Sequence, residues 1–202
     1  MSRLGARRAF RLGLVATVLA AMAGVAASLS CASAPDKDRV TVILEPDYNV
    51  YKAYVDPYLA RRCGSLDCHG QPGRPYRIYG QRGLRLPTAL DGSLVSGGTT
   101  PTQDEEIRAN FESFVSVEPE EMSRVIATQG ENPNSLVVLR KPLRIERHKG
   151  GPAMAPGDDG YLCVTAWLRV PVVRADGSFI PPADRQFSPL AIATCQNAAS
   201  LP

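Results

Sequence analysis

The sequence predicts a small, mostly α-helical domain threaded by long loops. Three observations carry that expectation. Several short segments repeat their apolar residues at helical spacing behind recognisable start signals. Seventeen Gly and seventeen Pro punctuate the rest and keep the helices short. Apolar residues make up 44% of the 202 and charged residues 21%, the balance of a folded globular chain, which excludes collagen-like, coiled-coil and multi-domain readings. With only 6% aromatic residues, few large side chains are available to anchor the core.

Residues 1–30 stand apart from that domain. They carry Arg3, Arg7, Arg8 and Arg11 with no acid, then an uncharged run from Leu12 to Ser30 rich in Ala, Leu and Val, the layout of a secretory signal peptide. The run has nearly bilayer-spanning length, but its Ala, Gly and Ser content is weak for a permanent anchor, so cleavage is expected. Removing those four arginines from the 23 basic residues leaves 19 against 20 acids. No basic excess remains to neutralise phosphates, and a nucleic-acid partner loses its support. Ser28-Leu29-Ser30-Cys31 resembles the lipobox of bacterial lipoproteins, with Leu one position later than usual. The resemblance implies a diacylglyceryl thioether on Cys31 and a lipid anchor in a membrane; the alternative is ordinary cleavage nearby, with Cys31 a free thiol. Residues 31–47 open with small and polar side chains and read as a polar tether.

In the mature chain, Thr41–Leu44 is a short β-branched run suited to an edge strand or an extended lead-in. Apolar positions 51, 54, 55, 58 and 59 follow a helical period, and Asp56-Pro57 supplies a start signal that makes Pro57–Arg62 its firm part. Residues 64–98 read as wrapped loop, with Arg74–Tyr79 extended within it. Thr102-Gln103-Asp104-Glu105 fits a capping box for a helix through Phe114. Ser135–Leu139 is short and apolar. Asp158-Asp159 caps a last helix whose predicted inner face holds Leu162, Ala166, Trp167 and Val170. Residues 171–202 are a Pro-rich tail with no long periodic segment.

Cys63-Gly64-Ser65-Leu66-Asp67-Cys68-His69-Gly70 is the most informative segment. Two thiols followed at once by a histidine are what covalent haem attachment requires, because each Cys adds to one vinyl group and the adjacent His reaches the iron from the same face. The usual spacer is two residues and this one is four; a longer loop can bulge outward while both sulfurs still reach. Competing readings are a Cys63–Cys68 disulfide with His69 an incidental neighbour, and zinc, which would want a second Cys/His pair that the chain lacks.

Val55–Cys63 ahead of the site and His69-Gly70 within it resemble the leading helix and attachment loop of bacterial c-type cytochrome domains. Downstream, Asn132–Leu136, Arg140–Leu143, His148–Met154 and Trp167-Leu168 resemble the distal half of the cytochrome domains of large exported bacterial proteins. The likeness runs in outline from residue 48 to residue 170, and between Pro72 and Val117 nothing matches. It implies a cytochrome c-like helical domain over 48–170 carrying one covalent haem c.

The chain has only two histidines, so the ligand choice is narrow. His69 is the proximal candidate. For the distal position the expectation is Met154, a thioether in a Gly/Pro loop before the last helix, with His148 and an open site as alternatives; Met opposite His raises the reduction potential. Five cysteines then divide into Cys31 for lipid, Cys63 and Cys68 for haem, and Cys163 with Cys195 for a disulfide that staples the tail. No nucleophile with a base, paired carboxylates or phosphate loop argues for an enzyme. The expected protein is an electron-transfer lipoprotein of the cell envelope, facing the periplasm or secreted if not lipidated, with an unidentified redox partner protein. The competing class is a haem-free, disulfide-stapled lipoprotein acting as a binding or structural module.

Overall fold

A computed structural model describes residues 42–87 and 100–200. The signal segment, the Cys31 lipobox and residues 31–41 of the tether lie outside them. All the elements belong to one unit, Ile43–Pro202, and the expectation of a mostly helical fold with long loops holds. The elements are α1 Tyr48–Val50, a π-helical turn Tyr51–Val55, α2 Asp56–Cys63, α3 Asp104–Val115, α4 Pro119–Ala127, a 3-10 turn Pro133–Ser135, α5 Val137–Arg140, α6 Asp159–Leu168, a second 3-10 turn Pro182–Asp184 and α7 Pro189–Ser200. Among the described residues the only β pairings are single bridges, Tyr79 with Leu84 and Val173 with Phe179.

The first helical stretch begins earlier than Pro57 because Asp47 caps it. The Asp47 carboxylate accepts the Val50 amide at 2.8 Å and the Arg185 guanidinium at 2.9 Å. Its backbone carbonyl accepts the Trp167 indole N–H at 2.7 Å. One buried acid thus ties the start of α1, the core helix α6 and the C-terminal segment together, and the fold takes in Pro46 and Asp47 from what reads as tether. Leu44 is irregular rather than a strand and donates its amide to the Ser123 hydroxyl at 2.9 Å.

Tyr51, Phe111, Phe114 and Trp167 form the aromatic centre, with ring centroids 5.2 to 6.4 Å apart and mostly edge-to-face or tilted. Around it pack Val55, Leu59, Val125, Ile126, Leu136, Leu139, Val164 and Leu168. Helix α4 carries Met122, Val125 and Ile126 inward at 3-to-4-residue spacing, a period that the sequence reading passed over because Pro119 and two acids open it.

Three expectations shift. The capping box sits one residue later: Glu106, not Glu105, reaches back to the amide of Gln103 at 2.9 Å. Glu106 can do so because it is also buried against Arg85, whose guanidinium donates to it at 2.8 and 2.9 Å. Helix α6 is capped by Asp158 as expected, yet Leu162 is 41% exposed and the inner face is Cys163, Val164, Trp167 and Leu168. The helix is covered on several sides, so apolar residues ring it and no single face can be read from them.

The tail is the third shift. It ends in a 12-residue helix, α7, packed on α6 and α2. Its inward residues are Ala191, Cys195 and Ala198, spaced at four and three; such small side chains give a weak apolar period. Cys195 is bonded to Cys163, with 4.7 Å between Cα atoms. Ala and Cys bury little area, so the covalent bond supplies much of what holds α7 in place. Replacing both cysteines by alanine should cost about 3 to 4 kcal/mol of stability by denaturant titration, and a loss under 1 kcal/mol would mean that α7 docks by burial alone.

Candidate functional site

The segment from Cys63 to Gly70 closes on itself. The Gly64 amide donates to the Ala60 carbonyl at 3.0 Å and ends α2. The His69 amide donates to the Cys63 carbonyl at 2.9 Å, and the amides of Cys68 and Gly70 both donate to Ser65, at 3.0 and 2.9 Å. Five residues apart along the chain, Cys63 and the Cys68-His69 pair are thereby brought to one place. The four-residue spacer is taken up as a turn with Leu66 and Asp67 outward; Leu66 is 62% exposed.

This closure depends on glycine. A Cβ on Gly70 or on Gly83 would overlap the Gly64 carbonyl oxygen, so three backbones share a space that admits no side chain. Gly83 is fixed in turn by the Tyr79 to Leu84 bridge and by its amide donating to Gly80 at 3.1 Å. The Ile78 amide donates to the His69 carbonyl at 3.0 Å. The Cys68 carbonyl accepts from Gln71 and Arg74 side chains at 3.3 and 3.2 Å.

Cys63 and Cys68 are both free thiols, whereas Cys163 and Cys195 are bridged. Burial pushes the Cys63 thiol up to about 12, helped by Cys68 beside it, so it stands protonated. His69 is half-buried, and burial lowers its pKa, with His148 and Arg74 adding to the effect against the opposing Tyr76 carbonyl bond. The imidazole is therefore neutral at pH 7. Its Nδ1 lies 2.9 Å from the Tyr76 carbonyl oxygen, so Nδ1 carries the proton and Nε2 keeps a lone pair, the arrangement that orients a metal-binding histidine.

His148 is held the same way, with Nδ1 2.7 Å from the Gly151 carbonyl oxygen. The turn that makes this possible has Gly151 at φ +76°, a backbone state that side-chain-bearing residues avoid. The two imidazole centroids are 6.2 Å apart, with their planes within 12° of parallel. Met154 is 6% exposed, a member of the hydrophobic core, with its amide 3.3 Å from the Pro142 carbonyl. The preceding carbonyl, of Ala153, accepts from Arg62 on α2 at 3.2 Å, which couples the distal loop to the helix that delivers Cys63.

Sequence reasoning missed Tyr76 and Asp56. Tyr76 supplies the carbonyl that sets the His69 tautomer, and its ring lies 4.8 Å from that imidazole; an Arg-Pro-Tyr stretch in a loop gives no signal of this. Its hydroxyl is buried without a hydrogen-bond partner. Asp56 is the buried first residue of α2, and its carboxylate accepts from the Asn110 side-chain amide at 2.9 Å. Asn110 also bridges to the Tyr79 backbone at 2.6 and 2.9 Å, so the acid links α2 and α3 to the loop after the site.

No family model matches the chain, and no curated protein or solved structure does either. Among the described residues no group of three or more His, Cys, Asp or Glu converges, and no helix is long and apolar enough to cross a membrane. The groups that the closed loop carries, two free thiols and an imidazole held through Nδ1, have the chemistry that a covalently held haem needs. The Tyr76 hydroxyl, buried without a partner, is compatible with this, since a buried donor left without an acceptor costs free energy that a bound polar group can relieve.

Burial pushes the Asp56 carboxyl up to about 6, the charge of Glu106 adds to this, and Asn110 with the neighbouring Tyr51 hydroxyl pulls it partly back. In the unfolded chain an Asp titrates near 3.9. The folded state therefore holds this proton more tightly, and stability is present below about pH 4 and lost as pH rises through about 6, by roughly 2 to 3 kcal/mol. Asp56→Asn should keep the bond from Asn110 and remove that dependence. Urea midpoints of wild type and variant, compared between pH 4.5 and 7.5, should diverge as pH rises in favour of the variant; parallel curves would show that Asp56 is ionised without penalty.

Proposed function

We propose that this chain is an exported, monohaem c-type cytochrome-like electron-transfer protein, tethered to a membrane through lipid on Cys31. The observation that carries the reading is the joint placement of Cys63, Cys68 and His69 by one closed loop, with both thiols free and the imidazole tautomer set. Each thiol would add its sulfur to one carbon of a haem vinyl group and its hydrogen to the other, a redox-neutral step that needs no oxidant. Haem supplies the one-electron iron couple, and the protein supplies its ligands, burial and orientation.

The residues divide those tasks. Cys63 at the end of α2 and Cys68 beside His69 fix position covalently. His69 offers Nε2 while the Tyr76 carbonyl keeps the ring from turning. The aromatic centre behind α2 and α3 keeps water from the buried side. The stapled-module alternative would need a Cys63–Cys68 bridge in place of haem, and the Cys163–Cys195 bridge is compatible with either reading.

Protein made in a host with haem-attachment machinery should stay coloured after denaturation and should give a haem-stained band in gels. Cys68→Ala should lose most of that band while remaining folded by circular dichroism. A colourless wild type, made where control cytochromes mature normally, would overturn the proposal.

A further inference from the structure

The geometry points to His148, in preference to Met154, as the second axial ligand of the iron, which makes this a bis-imidazole centre. The inference rests on the haem reading above and goes beyond it to the class of centre, and so to the direction of its potential.

Three observations converge. Two metal–nitrogen bonds of about 2.0 Å, with the distance from each Nε2 to its ring centre, allow the centroids of two imidazole ligands of one ion to lie at most about 6.3 Å apart. The centroids of His69 and His148 are 6.2 Å apart. Each ring is independently fixed through Nδ1 by a backbone carbonyl, Tyr76 for one and Gly151 for the other, and among the described residues neither Nε2 has a hydrogen-bond partner. The turn that holds it requires Gly151 in the left-handed region, and the Gly150 Cα leaves its Cβ position 3.2 Å from the His148 ring, so the Gly-Gly pair is shaped around the imidazole. Met154, by contrast, lies within the hydrophobic core, where a flexible thioether also serves as an apolar filler.

Bis-imidazole ligation changes what the centre does. Replacing a thioether by a second imidazole favours the oxidised iron and lowers the potential. The 12° between ring planes adds a spectroscopic expectation, because near-parallel imidazoles split the iron d orbitals in a rhombic way and perpendicular ones do not.

The test uses the full-length holoprotein and measures haem content first. Oxidised wild type should give a rhombic low-spin electron paramagnetic resonance signal and no sulfur-to-iron charge-transfer band at the red edge of the visible range. Met154→Leu should leave both spectra as they are. His148→Ala should turn the iron largely high-spin, and added imidazole should restore the low-spin signal, which separates loss of a ligand from loss of the fold. A haem-containing wild type whose sulfur band disappears in Met154→Leu, or a His148→Ala that stays low-spin without imidazole, would overturn the His148 assignment and leave the haem reading standing. A wild type without haem would overturn both.

Discussion

The meeting of three glycine backbones, Gly64, Gly70 and Gly83, is the constraint on which the candidate site depends. With a side chain at Gly70 or Gly83 the Gly64 carbonyl would have to move, and that carbonyl belongs to the residue that ends α2. Displacing it would break the register in which the His69 amide meets the Cys63 carbonyl. The thiols and the imidazole would then no longer share one place. The proposed attachment chemistry would thus rest on absent side chains as much as on the reactive ones.

Energy from elsewhere holds that junction in place. The buried Arg85–Glu106 pair anchors the chain just after Gly83 to the start of α3, where Glu106 also accepts the amides of Gln103 and Leu86. Burial alone would push the Glu106 carboxyl up, but the guanidinium and these two amides outweigh it and hold the carboxyl below its usual value. Removing one partner would leave a buried charge without compensation, a change that typically costs about 3 to 5 kcal/mol. Asn110, one helical turn further along α3, ties Tyr79 to Asp56. Helix α3 therefore serves as the rail along which the loop from the site is fastened, although it contributes no ligand.

The motif residues were legible in the sequence because their chemistry is encoded in adjacency: Cys68 precedes His69, and Cys63 closes a helix. The helices with bulky inward residues, such as α3 with Phe111 and Phe114, could also be read. Helix α7 could not, since Ala191, Cys195 and Ala198 carry too little hydrophobic contrast, although the Cys163–Cys195 bond that fixes it followed from counting thiols. The approach of His148 to His69 was only partly legible, since the sequence offered His148 as an alternative to Met154. Nothing in the sequence fixes the distance between two histidines 79 residues apart; their 6.2 Å centroid separation is set by long-range contacts such as Arg62 with the Ala153 carbonyl. Tyr76 acts through its backbone, which no residue type encodes.

The central claim, that one loop delivers both thiols to a single haem, is tested most directly by the intact mass of the denatured mature protein after treatment with a thiol-alkylating reagent. The account predicts a mass increased by one haem, with Cys63 and Cys68 unalkylated and the Cys163–Cys195 bond intact. A mass without haem, with Cys63 and Cys68 either both alkylated or joined to each other, would contradict it.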